Sequence, residues 1–208
     1  MPELILPAQL AKELASIYQT LEKEYEHTAS QISLTCTGCP DNCCDSWFYH
    51  HTYSEWAYLW QGLRLLEEPI LSRIMERAKD YVQQSQTQLA AGQRPQLMCP
   101  LNVDGLCALY QHRLLVCRMH GVPALLTRPD GQRLRFPGCF RCQEIVQDTY
   151  PQEDAAPAMD RTAIFLRLTE LENQFLAGKR QRFPKVKKTI AEMIVQGPPF
   201  LAEPFASR

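Results

Sequence analysis

The sequence predicts a mainly α protein with small β-hairpins, a helical domain built around a cysteine-ligated metal site. Three observations carry that expectation. Apolar residues recur at three- and four-residue steps over long stretches, several of them ended by glycine. Two shorter stretches break that period and flank Asp-Gly pairs, the signal of a tight hairpin turn. Nine cysteines are spread along the 208 residues, and two pairs of them repeat a C-x2-C spacing.

Along the chain, residues 7–31 read as an amphipathic helix, with Leu10, Leu14, Ile17, Leu21 and Tyr25 on its core-facing stripe. Thr52-Tyr53-Ser54-Glu55 matches a capping box and opens a helix to about residue 66. Pro69 sits where a first helical turn tolerates it. The helix that follows runs to about residue 91, with Gly92 as its stop. Leu97 to Leu101 and Leu106 to Leu109 flank Asp104-Gly105 as a hairpin that holds Cys99 near Cys107. Residues 110–119 read as a short helix carrying Cys117, stopped at Gly121. Residues 122–127 and 132–136 form a second hairpin around Pro129-Asp130-Gly131. Residues 150–157 look like a linker, which divides the chain into a cysteine-cluster domain, 1–150, and a helical extension, 151–208. Asp160 caps a helix to about residue 177, ended by Gly178. A last helix spans about 185–195, and the Gly197-Pro198-Pro199 tail is expected to be loose.

The formal net charge is −1, so no field-wide basic surface argues for nucleic acid. No apolar run approaches the roughly 20 residues of a membrane-spanning helix. The first residues lack the basic and apolar regions of a secretory leader. The expectation is therefore a cytoplasmic protein with no membrane partner, in a compartment where thiols stay reduced. An odd cysteine count in a chain of this length also favours ligation over a disulfide framework.

The densest run is Cys36-Thr37-Gly38-Cys39-Pro40-Asp41-Asn42-Cys43-Cys44. Gly38 and Pro40-Asp41-Asn42 are turn chemistry, so the run reads as a tight knuckle that aims the Cys36 and Cys39 sulfurs at one point. The candidate metal ligands are Cys36, Cys39, Cys43, Cys44, Cys99, Cys107, Cys117, Cys139 and Cys142, with Cys36, Cys39, Cys107 and Cys117 expected to share a metal. Cys43 and Cys44 are adjacent, so they serve different sites or one of them is idle. Nine thiolates exceed one zinc. They could fill two four-sulfur sites with one left over, or one cluster with spare thiols. Trp47, Phe48 and Tyr49 are expected to wall the sulfurs from water. His50 and His51 could ligate, but adjacent side chains on an extended segment point to opposite faces. Arg113 and Arg118 lie beside Cys117, where guanidinium groups could offset the charge of a thiolate-bound metal. An ordinary ion pair explains them equally well.

The block Cys99-Pro100-Leu101, Asp104-Gly105, Cys107, Tyr110, Arg113, Cys117-Arg118, following the knuckle in order, resembles the YkgJ-like cysteine-cluster family, described as zinc- or iron-chelating and named for a CxxCxxCC signature. The resemblance covers about residues 34–142. The family usually has two residues before its cysteine pair where three stand here, and many members have Pro where this chain has Leu114. The family is also similar to the cysteine-rich part of flagellin lysine methylases. That similarity implies an iron–sulfur cluster of the 4Fe-4S kind, although no methyl-donor motif is present here. Zinc remains the alternative, since all-sulfur ligation suits both. The function classes this leaves are a metal- or cluster-binding protein with a redox or metal-handling role, a zinc-stabilised module whose basic segment 179–188 touches a protein partner, and a cluster-dependent enzyme. No phosphate loop, Ser-His-Asp order or HExxH motif supports the last.

Overall fold

A computed structural model of the chain describes residues 2–37, 39 and 43–200. The Gly38 and Pro40-Asp41-Asn42 turn expected inside the knuckle lies outside the described residues. In chain order the helices are α1 (Ala8–Gln31), α2 (Tyr53–Leu63), α3 (Glu68–Ala90), α4 (Leu115–Met119), α5 (Phe140–Thr149), α6 (Thr162–Phe175) and α7 (Ile190–Val195). The strands are β1 (Asn102–Val103), β2 (Leu106–Cys107), β3 (Ala124–Thr127), β4 (Arg133–Phe136) and β5 (Met159–Asp160). Among the described residues the protein is therefore mainly helical, with a two-stranded and a three-stranded sheet.

The chain divides into two compact units, each assembled from separated stretches. One takes the chain up to Ala11, Cys44–Leu114 and the chain from Glu172 onward. The other takes Lys12–Cys43 and Leu115–Leu171. Spatial contact sets this division, whereas a boundary near residue 150 follows only chain order. Residues 151–171 belong to the second unit and 172–200 to the first.

In the first unit α3 packs against α7. Leu59, Leu63, Ile74, Met193 and Ile194 are essentially fully buried there, and each such side chain contributes about 1.5–3 kcal/mol relative to exposure. The capping signal at Thr52 is realised: its Oγ1 accepts from Glu55 N at 3.3 Å and donates to Glu55 Oε2 at 2.9 Å. The same helix end has a second cap from far away in sequence. The buried Glu172 carboxylate accepts from Tyr53 N and Ser54 N, both at 2.9 Å. Gly92, at φ +72, follows α3, and Gln93 N closes onto Gln88 O at 2.9 Å, the Schellman pattern its sequence predicts. Asp104 and Gly105 both have positive φ, as a two-residue hairpin turn requires, and pair β1 with β2. The last helix starts later than its apolar pattern suggests because Thr189 caps it in a complete capping box with Glu192. Contrary to the expected loose tail, Leu4 N donates to Pro199 O at 2.8 Å, and Glu3 and Phe200 form an isolated bridge.

In the second unit α1 buries Leu14, Ile17, Tyr18 and Leu21, and Arg167 of α6 reaches Thr20 Oγ1 at 3.2 Å. The second hairpin forms as expected, β3 against β4. The expected linker instead leads into β5, which adds to β3 in parallel. The expected helix over 110–119 is broken: a 3-10 turn at Tyr110–His112 precedes α4, and Arg113 between them is extended, with ψ 136°. Asp160 lies in β5 and accepts from Thr162 N at 2.9 Å, capping α6 from just outside it.

Candidate functional site

The thiols divide with the units. Cys36, Cys39, Cys43, Cys117, Cys139 and Cys142 belong to the second; Cys44, Cys99 and Cys107 belong to the first. No disulfide joins any of them.

In the second unit the knuckle begins just past α1. Cys39 N donates to Cys36 O at 3.2 Å, so the first C-x2-C closes as a tight turn. The second C-x2-C is the start of a helix: Cys139 is the residue before α5, and Cys142 lies in its first turn. The positive end of the α5 dipole therefore sits at these two sulfurs, an arrangement favourable to an anionic thiolate site. Cys142 is fully buried, and burial first, then Cys139, pushes its thiol up to about 12 against the pull of Arg135. Cys117 sits on α4 and is half-buried.

Tyr25 joins these pieces. Cys36, Cys139 and Cys43 all lie near enough to act on its hydroxyl electrostatically. Burial, then the charges of Cys36 and Cys139, hold its proton well above the ordinary tyrosine range. Gly121, at φ +145, lies against that hydroxyl; a Cβ there would run into it. Gly121 O accepts from Cys139 N at 3.0 Å. Gly138, at φ +87, is pressed onto Gly121 O, and its Cβ would come within 2.8 Å of Cys142 Sγ. The two glycines are therefore close-approach positions as well as turn formers. They let the strand leaving α4 and the segment entering α5 meet beside the phenol.

In the first unit one backbone path links the three thiols. Cys99 N donates to Cys44 O at 2.9 Å, Asn102 N donates to Cys99 O at 3.0 Å, and Asn102 is in register with Cys107. In the same unit Trp47 stacks on Tyr81 at 6.1 Å and meets Tyr49 edge-on at 5.4 Å. Burial first, then Cys99, raises the Tyr81 phenol above its usual value.

The remaining candidates go elsewhere. Arg113 lies over the Tyr110 ring, 5.1 Å from its centroid, and Arg118 over Tyr18 at 4.6 Å. Both guanidinium groups thus make cation–π contacts. His50 is 2% exposed, with Nδ1 unpartnered, and burial lowers it to about 3. His51 Nδ1 is 3.1 Å from Val186 O. The basic segment is turned partly inward: Lys187 lies over Tyr49, Lys188 over Trp56, and Arg180 is 3.9 Å from Glu172.

Among the described residues no group of three or more His, Cys, Asp or Glu side chains is drawn together as a finished metal site. The shared site expected for Cys36, Cys39, Cys107 and Cys117 is thus not preformed. Protonated thiols have no mutual attraction that would converge them, and the ion itself supplies that pull when it displaces their protons. The second unit holds six sulfurs, two of them at the start of α5. Sequence reasoning missed Tyr25, Gly121 and Gly138 as site residues. Tyr25 continues an ordinary core stripe and carries no separate signal. Gly138, one residue before a C-x2-C, was the one available hint. No protein-family model, no curated protein and no solved structure matches this chain. No helix among the described residues is long and apolar enough to cross a membrane.

Proposed function

We propose that this chain is a cysteine-thiolate metal-binding protein that holds iron, as an iron–sulfur cluster, in its second unit and serves a redox or metal-handling role in the cytoplasm. One observation carries the reading: thiols from chain stretches about a hundred residues apart, Cys36 and Cys43 on one side and Cys139 on the other, are all near enough to act electrostatically on one phenol, that of Tyr25. Chain connectivity alone does not require that convergence, and soft sulfur donors on a helix N-terminus suit a thiolate metal. Cys36, Cys39, Cys43 and Cys139 would hold the group, with Cys142 and Cys117 in the same unit. The group would supply electron storage; the chain supplies the sulfurs, their proton release and a partly buried setting. The ordered likeness to YkgJ-like cysteine clusters points the same way. Zinc is the second metal these ligands suit.

The test is anaerobic purification followed by elemental analysis and a visible spectrum. Iron with acid-labile sulfide supports the reading, zinc alone moves it to a zinc-stabilised module, and a metal-free, colourless protein that also takes up neither metal on reconstitution overturns it.

A further inference from the structure

We infer that Cys139 and Cys142 form a dithiol site that exchanges with small disulfides of the glutathione class: Cys139 takes the incoming sulfur and Cys142 displaces it, leaving a Cys139–Cys142 bridge. This activity goes beyond metal binding and requires no metal.

Spacing, direction and access carry the inference. Cys139 is the N-cap of α5 and Cys142 is the third residue of that helix. Gln143 N donates to Cys139 O at 3.0 Å, so the turn between the two cysteines is closed as a helical one. Three residues along such a turn place two Cα atoms about 5 Å apart, inside the roughly 4.4–6.8 Å that a disulfide spans. A helical side chain leans back towards the N-terminus of its helix, and Cys142 does so. A Cβ built on Gly138, the residue before Cys139, would come within 2.8 Å of Cys142 Sγ. N-cap and third-residue side chains meet twice elsewhere in this chain, Thr52 Oγ1 with Glu55 Oε2 at 2.9 Å and Thr189 Oγ1 with Glu192 Oε2 at 3.0 Å. Access then separates the two sulfurs. Cys142 is 0% exposed, whereas Cys139 is partly exposed and its side chain makes no cap bond to α5. An incoming disulfide therefore meets Cys139 and not Cys142.

The exchange runs in two balanced steps. The Cys139 sulfur attacks one sulfur of the incoming disulfide RSSR. A Cys139–SR bond forms, the S–S bond of RSSR breaks, and the Cys139 proton leaves through solvent with the displaced RSH. The Cys142 sulfur then attacks Cys139 Sγ. The Cys139–Cys142 bond forms, the bond to SR breaks, and the Cys142 proton leaves with a second RSH. The chain gives up two electrons and two protons, and RSSR takes them up. An excess of reducing thiol runs both steps backwards. A sulfur held by a metal does not attack in this way, so a metal on Cys139 and the bridge exclude each other.

The experiment incubates the full-length chain, purified anaerobically, with oxidised glutathione, with and without a chelator. Remaining thiols are then alkylated and the chain is digested with trypsin. Trypsin cuts after Arg141, between the two cysteines, so the bridge appears in the mass spectrum as peptide 136–141 linked to peptide 142–161. The chelator-treated wild type is expected to give that linked pair, and dithiothreitol to abolish it. Cys142→Ser should stop after the first step: Cys139 keeps its glutathione, and this pair releases one reduced glutathione in place of two. Cys139→Ser should leave Cys142 unmodified. A wild type with native helical dichroism whose peptide 136–141 stays unlinked in the presence of chelator overturns the inference. A folded Cys142→Ser chain whose Cys139 takes up no glutathione overturns it too. Should either variant fail to fold, the wild-type peptide map decides alone. A chain that holds no metal yet forms the linked pair keeps this inference and removes the metal reading; a chain that holds metal and never forms the pair does the reverse.

Discussion

In the second unit six cysteines sit in the knuckle, on α4 and at the start of α5, and the Tyr25 phenol lies near three of them, Cys36, Cys43 and Cys139. In the first unit three cysteines follow one backbone path through the hairpin, with Tyr81 near Cys99 and Trp47 stacked on Tyr81. A tetrahedral or cubane site needs four protein donors. By count the second unit holds six thiols and the first holds three. The difference also gives the adjacent pair separate places, since Cys43 belongs to the second unit and Cys44 to the first. The thiols of the two units therefore have different surroundings.

The sharpest way to break this contrast is to remove one thiol from each unit. Cys139→Ser should lose most bound metal and lower thermal stability with it, because metal-binding free energy, about 10–16 kcal/mol for structural zinc sites, is folding free energy where no finished site precedes the ion. Cys107→Ser should retain metal. Elemental analysis and a melting curve on each variant decide it, and equal losses would remove the distinction between the units.

Acid should separate the units next. His50, in the first, is held neutral by burial, with its value lowered from 6.5 to about 3. The unfolded chain takes up a proton below 6.5 and the folded one does not. Stability is then unaffected above pH 6.5 and falls between 6.5 and about 3, at about 1.4 kcal/mol per pH unit and about 5 kcal/mol over the full window. Asp160, in the second unit, is held below its ordinary 3.8 by its bonds to Thr162, so its contribution is present above 3.8 and lost only below it. Trp47, Trp56 and Trp60 all lie in the first unit, so tryptophan fluorescence during acid titration reports on that unit alone. His50→Gln should flatten the loss between pH 6.5 and 3. An unchanged acid limb would count against a buried neutral imidazole.

Glycine substitutions give a smaller, local version of the comparison. Gly121→Ala combines left-handed strain with a collision on the Tyr25 hydroxyl, for a cost of about 3 kcal/mol or more, and should weaken metal binding too. Gly105→Ala, at φ +84 with nothing within 4 Å of the new Cβ, bears the strain alone, about 1–2 kcal/mol, and should leave metal content unchanged. Denaturant melts of the two should differ in that order. The smallest effect is expected at the α7 cap, where Thr189→Ala removes the bond from Glu192 N for about 1 kcal/mol, with metal content again untouched.

Much of this protein is written locally. The α1 stripe, the Thr52 cap, the Gly92 stop and the Asp104-Gly105 turn each depend on interactions spanning four or five residues at most, which is the range over which helix hydrogen bonds and turn torsions act. The cysteine spacing likewise announces thiol chemistry, because two residues between sulfurs suit a turn that the Cys39–Cys36 backbone bond then makes. What only the tertiary structure decides is which segments meet. Glu172 caps α2 from 118 and 119 positions away, β5 joins β3 across the expected linker, and Arg113 and Arg118 turn onto aromatic rings. Tyr25 is the plainest case: its place in the sequence is that of any core residue, and only the fold brings Gly121 against its hydroxyl. Contacts of that range depend on how whole elements pack, and no local period or spacing encodes them.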